Sequence, residues 1–184
     1  MKITIIVATI IIAVTTPTAR AMIGGSGVDL WMHEGPTKGH TIRKHVGKSK
    51  AFLLKRMRPT IDTRLFGAAP MIRSTFNNHK EAKQYIDQTI NVNISKIARW
   101  LDDKDENRLV INESFGHSGT GSIGLVAYRK VWFTAKGPTP VYWGKGDGVM
   151  VILIKDVRME FGYYILTAYP TFSKSPVAVG SQTQ

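Results

Sequence analysis

The sequence predicts an α+β fold in which helices come first and an antiparallel sheet follows. Three observations predict it. Between residues 41 and 101, apolar residues recur at helical spacing behind recognisable caps. From residue 108 the pattern changes to runs rich in β-branched and aromatic residues, separated by Gly-rich connections. The two kinds of segment are segregated along the chain instead of alternating, which is the α+β order. At 184 residues with 43% hydrophobic content, the chain can build one domain with its own core.

The elements follow in order. Residues 41–46 read as a short helix stopped by Gly47. Ser49 is a good N-cap for a helix over residues 50–58, which must end before Pro59 and places Phe52, Leu53 and Met57 near helical spacing. Residues 60–73 read as irregular. Asn77 or Asn78 caps a longer helix to about Ile90, with Ala82, Tyr85, Ile86 and Ile90 inward. Asn93 caps a further helix with Ile94, Ile97, Ala98 and Leu101 inward, and the charged run 102–106 ends it as a solvated turn. Strands are expected over residues 109–115, 123–130, 131–134, 149–155 and 163–169. Residues 136–148 read as a Gly-rich insertion between strands.

The ends carry different signals. Residues 1–21 show a positive start, an apolar run of twelve residues from Ile3 to Val14, and a small-residue end at Ala19-Arg20-Ala21. This is the three-part pattern of a secretory signal peptide, and the run is shorter than the roughly 20 residues a spanning helix needs. Residues 22–29 read as a flexible leader, 30–172 as the folded domain and 173–184 as a flexible tail. The expected location is secreted or periplasmic, with no stable membrane association once the signal is removed.

Charge narrows the function. Lys and Arg number 25 against 13 Asp and Glu, a formal net charge of +12. Loss of residues 1–21 removes Lys2 and Arg20 and no acid, leaving +10. Residues 38–73 alone hold ten Lys or Arg and one acid, Asp62. Such a segment points to an anionic partner. Cysteine is absent, which excludes disulfide scaffolds, thiolate metal sites and thiol nucleophiles. No Walker, Rossmann, G-x-S-x-G or H-E-x-x-H pattern is present.

Histidine is the first candidate for acid–base chemistry near neutral pH. His40 and His45 are five residues apart, a helical rotation of about 140°; they should not share a face, and they make a poor metal pair. His45 lies among Arg43, Lys44 and Lys48. Taken alone it reads as a surface histidine whose cationic neighbours depress its pKa. Thr167 and Tyr169 fall on one side of a strand, where two hydroxyls can hydrogen-bond a phosphate or serve no more than strand packing.

The run Gly39-His40-Thr41-Ile42-Arg43-Lys44-His45-Val46-Gly47 resembles the opening motif of the bacterial ribonuclease A-like toxin domains, which end contact-dependent growth inhibition proteins and other polymorphic toxins. Leu54-Lys55-Arg56, Ser74-Thr75-Phe76, Ile97-Ala98-Arg99-Trp100-Leu101 and the closing Tyr163-Tyr164-Ile165-Leu166-Thr167-Ala168-Tyr169-Pro170 fit the same family. The resemblance implies a ribonuclease A-like fold, helices then a curved sheet, and RNA cleavage without metal or other cofactor. It implies His45, Arg56, Thr167 and Tyr169 as catalytic residues. Lys44, Lys48, Lys55 and Arg58 then become the expected RNA contacts. It also implies an acidic immunity protein as partner, beside an RNA substrate such as tRNA. The alternative is a catalytically silent secreted protein that binds RNA or another polyanion on the same fold. A membrane-active cationic protein fits poorly, because the basic segment lacks a long amphipathic helix.

Overall fold

The computed structural model describes residues 27–57, 71–116, 122–129, 133–134 and 137–172. The expected signal peptide and tail, most of the leader and Arg58 lie outside these residues. A single 3₁₀ turn, Leu30–His33, precedes α1 (Thr41–His45) and α2 (Lys50–Arg56). Next come β1 (Met71–Phe76), α3 (His79–Val92) and α4 (Ile94–Asp102). The remaining strands are β2 (Arg108–Ser114), β3 (Gly124–Arg129), β4 (Phe133–Thr134), β5 (Gly137–Pro138), β6 (Tyr142–Lys145), β7 (Gly148–Lys155) and β8 (Tyr163–Thr171).

The α+β class holds, with the strands divided between two three-stranded antiparallel sheets, β1-β3-β6 and β2-β7-β8, and a short β4-β5 pair. Two expectations fail here. The end of the supposedly irregular 60–73 stretch is β1, which stands between the helices and pairs along its whole length with β3. The supposed insertion at 136–148 contains β6, the other edge of the same sheet, paired at Ala127↔Trp143 and Tyr128↔Tyr142. Both strands mix polar and apolar residues, and only their common partner β3 makes them strands.

Local chemistry sets most helix ends. Ser49 Oγ accepts from Phe52 N–H at 3.2 Å, and Asn78 Oδ1 accepts from Glu81 N–H at 2.9 Å. Asn93 departs from the expectation: its side chain makes no cap bond, and its amide donates to Thr89 O and to Glu113 Oε2, both at 3.0 Å. On α4 it is Ile97 and Trp100 that are buried, while Ile94, Ala98 and Leu101 are only half-buried. Trp100 packs edge-on against Tyr163, with ring centroids 6.4 Å apart.

The core lies between α3 and α4 on one side and the β2-β7-β8 sheet on the other. Ala82, Ile86, Ile90 and Ile97 meet Ile111, Val151, Leu153, Ile165 and Ala168 there. Burying a large aliphatic side chain contributes about 1.5–3 kcal/mol, so this layer holds the sheet rigid behind the face described next.

β8 carries the feature that decides which residues face away from that core. Opposite β7, Ile152 pairs with Thr167 and Leu153 with Ile165, so Leu166 is an extra residue in a β-bulge. Tyr163 and Ile165 point into the core before the bulge, and Ala168 does so after it. Unbroken alternation would have sent Thr167 and Tyr169 into the core. The bulge turns both to the opposite face.

The 3₁₀ turn and α1 dock on this bulge. His40 N–H donates to Leu166 O at 3.0 Å, and Thr41 Oγ1 accepts from Ala168 N–H at 2.9 Å. His33 Nδ1 accepts from Ile165 N–H at 3.2 Å. The approach is so close that a Cβ on Gly39 would run into the carbonyl oxygens of Ile165 and His33. Those are backbone atoms and cannot swing aside. Gly39→Ala should therefore cost about 3 kcal/mol of stability through strain at the docking point. Urea unfolding measures it, and a midpoint within error of the parent would contradict it.

Candidate active site

A five-residue helix is too short to persist alone, so α1 depends on what holds its ends. The N-cap residue His40 supplies no side-chain bond. Glu34 does the capping from a distance: its carboxylate accepts from Ile42 N–H at 2.7 Å and Arg43 N–H at 3.3 Å. At the other end Val46 is extended, and Gly47 turns the chain at φ +61, where glycine alone is unstrained. His45 is thereby fixed as the last residue of the helix.

His45 is buried, with 7% of its surface exposed, which overturns the surface-histidine reading. Its Nδ1 lies 3.0 Å from Ser74 O. A carbonyl only accepts, so Nδ1 carries the proton and donates, and Nε2 is left with its lone pair. Burial pushes the His45 pKa down to about 3, helped by Arg56, His40 and Lys44 and opposed by the bond to Ser74. The depression was expected from the cations, but desolvation is the larger cause.

Tyr169 stacks on this imidazole, ring centroids 5.1 Å apart at 30°. Its hydroxyl donates to Met150 Sδ at 2.8 Å. Burial raises its pKa, with Arg108 and Arg73 pulling the other way. Thr167 stands two residues earlier on the same face, only 6% exposed, and its Oγ1 is buried with no hydrogen-bond partner among the described residues. A buried hydroxyl without a partner is costly unless something else completes it. Arg56 closes the cluster from the end of α2, its Nη1 donating to Lys44 O at 2.9 Å and its Cζ 5.7 Å from the Phe52 ring centroid.

Of the expected RNA contacts, Lys44 is half-buried beside the histidines, with its pKa lowered by burial and then by Arg56. Lys48 donates its backbone N–H to Thr75 Oγ1 at 2.9 Å and lays its Nζ 5.6 Å from the Phe52 ring centroid. Lys55 is exposed on α2 and has no contact with the cluster among the described residues. Among those residues no group of three or more His, Asp or Glu stands together as metal ligands.

The model of the bacterial CdiA-CT RNase A domain family matches residues 39–170. The chain belongs to that family. The match begins at Gly39, which docks on the bulge, and ends at Pro170, one residue beyond Tyr169, so His45, Arg56, Thr167 and Tyr169 all lie inside the CdiA-CT domain. The chain is also similar to a solved CdiA-CT/CdiI complex from Y. kristensenii 33638, at 28% identity and a TM-score of 0.54, covering 72% of this chain and 99% of that one. No curated protein matches the chain. Membership makes the cluster part of a contact-dependent inhibition ribonuclease toxin domain.

Two residues of the CdiA-CT cluster escaped the reading from sequence. A helical wheel separates His40 from His45 and leaves its role open, yet their ring centroids are 6.3 Å apart. His40 is not in the helix; it is the N-cap, at φ −149 and ψ 27, so helical spacing does not apply to it. Arg73 counted only as the last cation of the basic segment, in a stretch read as irregular. It is a β1 residue adjacent to Ser74, half-buried, with Nε donating to Arg56 O at 3.1 Å. No local pattern points to it, because β1 mixes polar and apolar residues and is buried at three consecutive positions, Ser74, Thr75 and Phe76.

Proposed function

We propose that this CdiA-CT domain is an endoribonuclease that cuts RNA without a metal ion, by attack of the 2′-hydroxyl on the neighbouring phosphodiester. The observation that carries the reading is the tautomer of His45. With its Nδ1–H given to Ser74 O, the ring presents an unprotonated Nε2 within a cluster of cations and hydroxyls. Nε2 takes the 2′-hydroxyl proton, and the oxygen attacks phosphorus. Negative charge builds on the phosphorane, beside the fork of Arg56 and the buried hydroxyl of Thr167, which has no partner among the described residues. Tyr169 holds its proton at neutral pH and passes it to the leaving 5′-oxygen, with Arg73 and Arg108 favouring the phenolate that results. The products are a 2′,3′-cyclic phosphate and a free 5′-hydroxyl. DNA lacks the internal nucleophile and should remain intact.

Metal independence rests on charge. The charges that shift His45 are those of Arg56, His40 and Lys44, and the two permanent cations, Arg56 and Lys44, attract a phosphate and repel a divalent cation. The same field suits an acidic immunity protein, and the Y. kristensenii relative was solved in complex with CdiI. We place the protein outside the producing cell through its signal pattern, with RNA of a target cell as substrate.

The test is purified protein with total RNA and with tRNA in EDTA, followed by analysis of the new ends. Cleavage leaving cyclic phosphate is expected. Salt-sensitive RNA binding without cleavage would transfer the reading to a silent binding protein.

A further inference from the structure

Arg56 and Arg73 form an arrangement that the proposed chemistry above only half uses. Arg73 directly precedes Ser74, whose carbonyl holds His45. Its Nε is anchored on Arg56 O at 3.1 Å and its Nη1 on Ile72 O at 2.7 Å. Arg56 is anchored on Lys44 O. Every one of these acceptors is a neutral carbonyl. Among the described residues no carboxylate pairs with either guanidinium, although the chain does pair other cations, as in Lys83–Asp87 and Arg158–Asp156. Two half-buried like charges side by side, without a counter-ion, are costly. Among the described residues the rest of each fork has no acceptor, and Tyr169 is near enough to Arg73 for their charges to interact.

We propose that Arg73 is a second phosphate-binding residue, so that the scissile phosphate sits between the Arg56 and Arg73 forks. This rests on the cleavage reading above and adds a residue to it. The charges match the reaction. A phosphodiester carries one negative charge and its phosphorane gains a second. One guanidinium answers the ground state, and the other answers the charge that appears on the way to the transition state. An interaction of that kind acts on kcat more than on KM. The fork matters as well as the charge, because a guanidinium meets two phosphate oxygens at once and an ammonium does not.

Arg73→Gln and Arg73→Lys test this by two readouts. The first is RNA cleavage. Arg73→Gln should lose about 100-fold in kcat, the scale of removing one preorganised donor to a developing oxyanion, with KM within a few-fold of the parent. Arg73→Lys should recover only part of that loss. The second readout is inorganic phosphate, titrated into each protein and followed by the His45 imidazole NMR signals. Phosphate should bind the parent about tenfold more tightly than Arg73→Gln. If Arg73→Gln matches the parent within twofold in kcat and in phosphate affinity, the proposal falls and the cleavage reading stands. If the parent cleaves no RNA, the cleavage reading falls, and the phosphate titration alone decides for or against Arg73. If Arg73→Gln does not fold, Arg73→Lys decides, and parental kcat in that variant overturns the proposal.

Discussion

His45→Ala should lower RNA cleavage by about three orders of magnitude, within the range for removing a general base, and leave RNA binding nearly intact. The reason is the position of the imidazole. It is buried and held by one hydrogen bond to Ser74 O, and its neighbours on the open side are Tyr169 and Arg56. Among the described residues no carboxylate charge acts on it that could replace it as a base. His40 is the nearest alternative, and its pKa is also lowered, by burial first and Lys44 next. Its ring centroid is 6.3 Å from that of His45, so it would have to attack from elsewhere. The substitution leaves Ser74 O without its donor, a cost of about 1–3 kcal/mol, so a melting curve must accompany the assay. His45→Gln is the better control, since a side-chain amide can donate to Ser74 O and still cannot act as a base. Folded His45→Gln that cuts RNA at the parental rate would remove His45 from the mechanism.

The pH dependence of the same reaction follows from the His45 environment. With the free-enzyme pKa pushed down to about 3, the acid limb of kcat/KM should lie well below the ordinary histidine range near 6.5. An imidazole that weak is a poor base until something raises it. A bound phosphate supplies the missing negative charge and opposes Arg56 and Lys44, so basicity rises when substrate arrives. The imidazole NMR titration therefore has a directional outcome: inorganic phosphate should move the His45 pKa upward.

Much of the helical fold was legible because its signals are local. Ser49, Gly47 and Asn78 act through hydrogen bonds or φ values within a few residues of themselves. The periodicity of Ala82, Ile86 and Ile90 needed no knowledge of what they pack against. β1 and β6 were illegible for the opposite reason: both are short, mixed in polarity, and made regular only by β3. The site was legible by resemblance to a family and not by spacing. Thr41 and Ala168, which bond across it, are 127 residues apart, and no local pattern links them. The Leu166 bulge could not be read at all, since Thr167 and Tyr169 share a side with or without it. What it changes is whether that side is the core or the site. His40 shows the reverse error: helical geometry was applied to a residue that precedes the helix.

Stability should fall steeply as the pH drops from 7 to 5, earlier than carboxylate titration would cause. Two histidines are responsible. Burial holds His33 down to about 4, with Lys38 helping, and His45 down to about 3. Both folded-state values lie below the unfolded value near 6.5. Between the folded and unfolded values the unfolded chain binds the extra protons, so acid favours unfolding, and the stability present above pH 6.5 is lost on the way down. Each histidine contributes a slope of up to about 1.4 kcal/mol per pH unit. Two acting together over the window from 6.5 to 5 remove roughly 4 kcal/mol, a large part of a typical domain's 5–15 kcal/mol. The hydrogen bond that His33 accepts gives the same sign. His33 Nδ1 accepts from Ile165 N–H, and a protonated ring cannot accept. Charging His33 therefore breaks the docking of the 3₁₀ turn on β8, one residue before the bulge that aims Thr167. Urea midpoints at pH 7, 6 and 5 measure the slope. His33→Gln, whose side-chain oxygen can accept from Ile165 at any pH, should cut the slope by about half. Midpoints that stay level from pH 7 to 5 would mean that neither imidazole is held neutral by burial, and the base assigned to His45 would lose its electrostatic foundation.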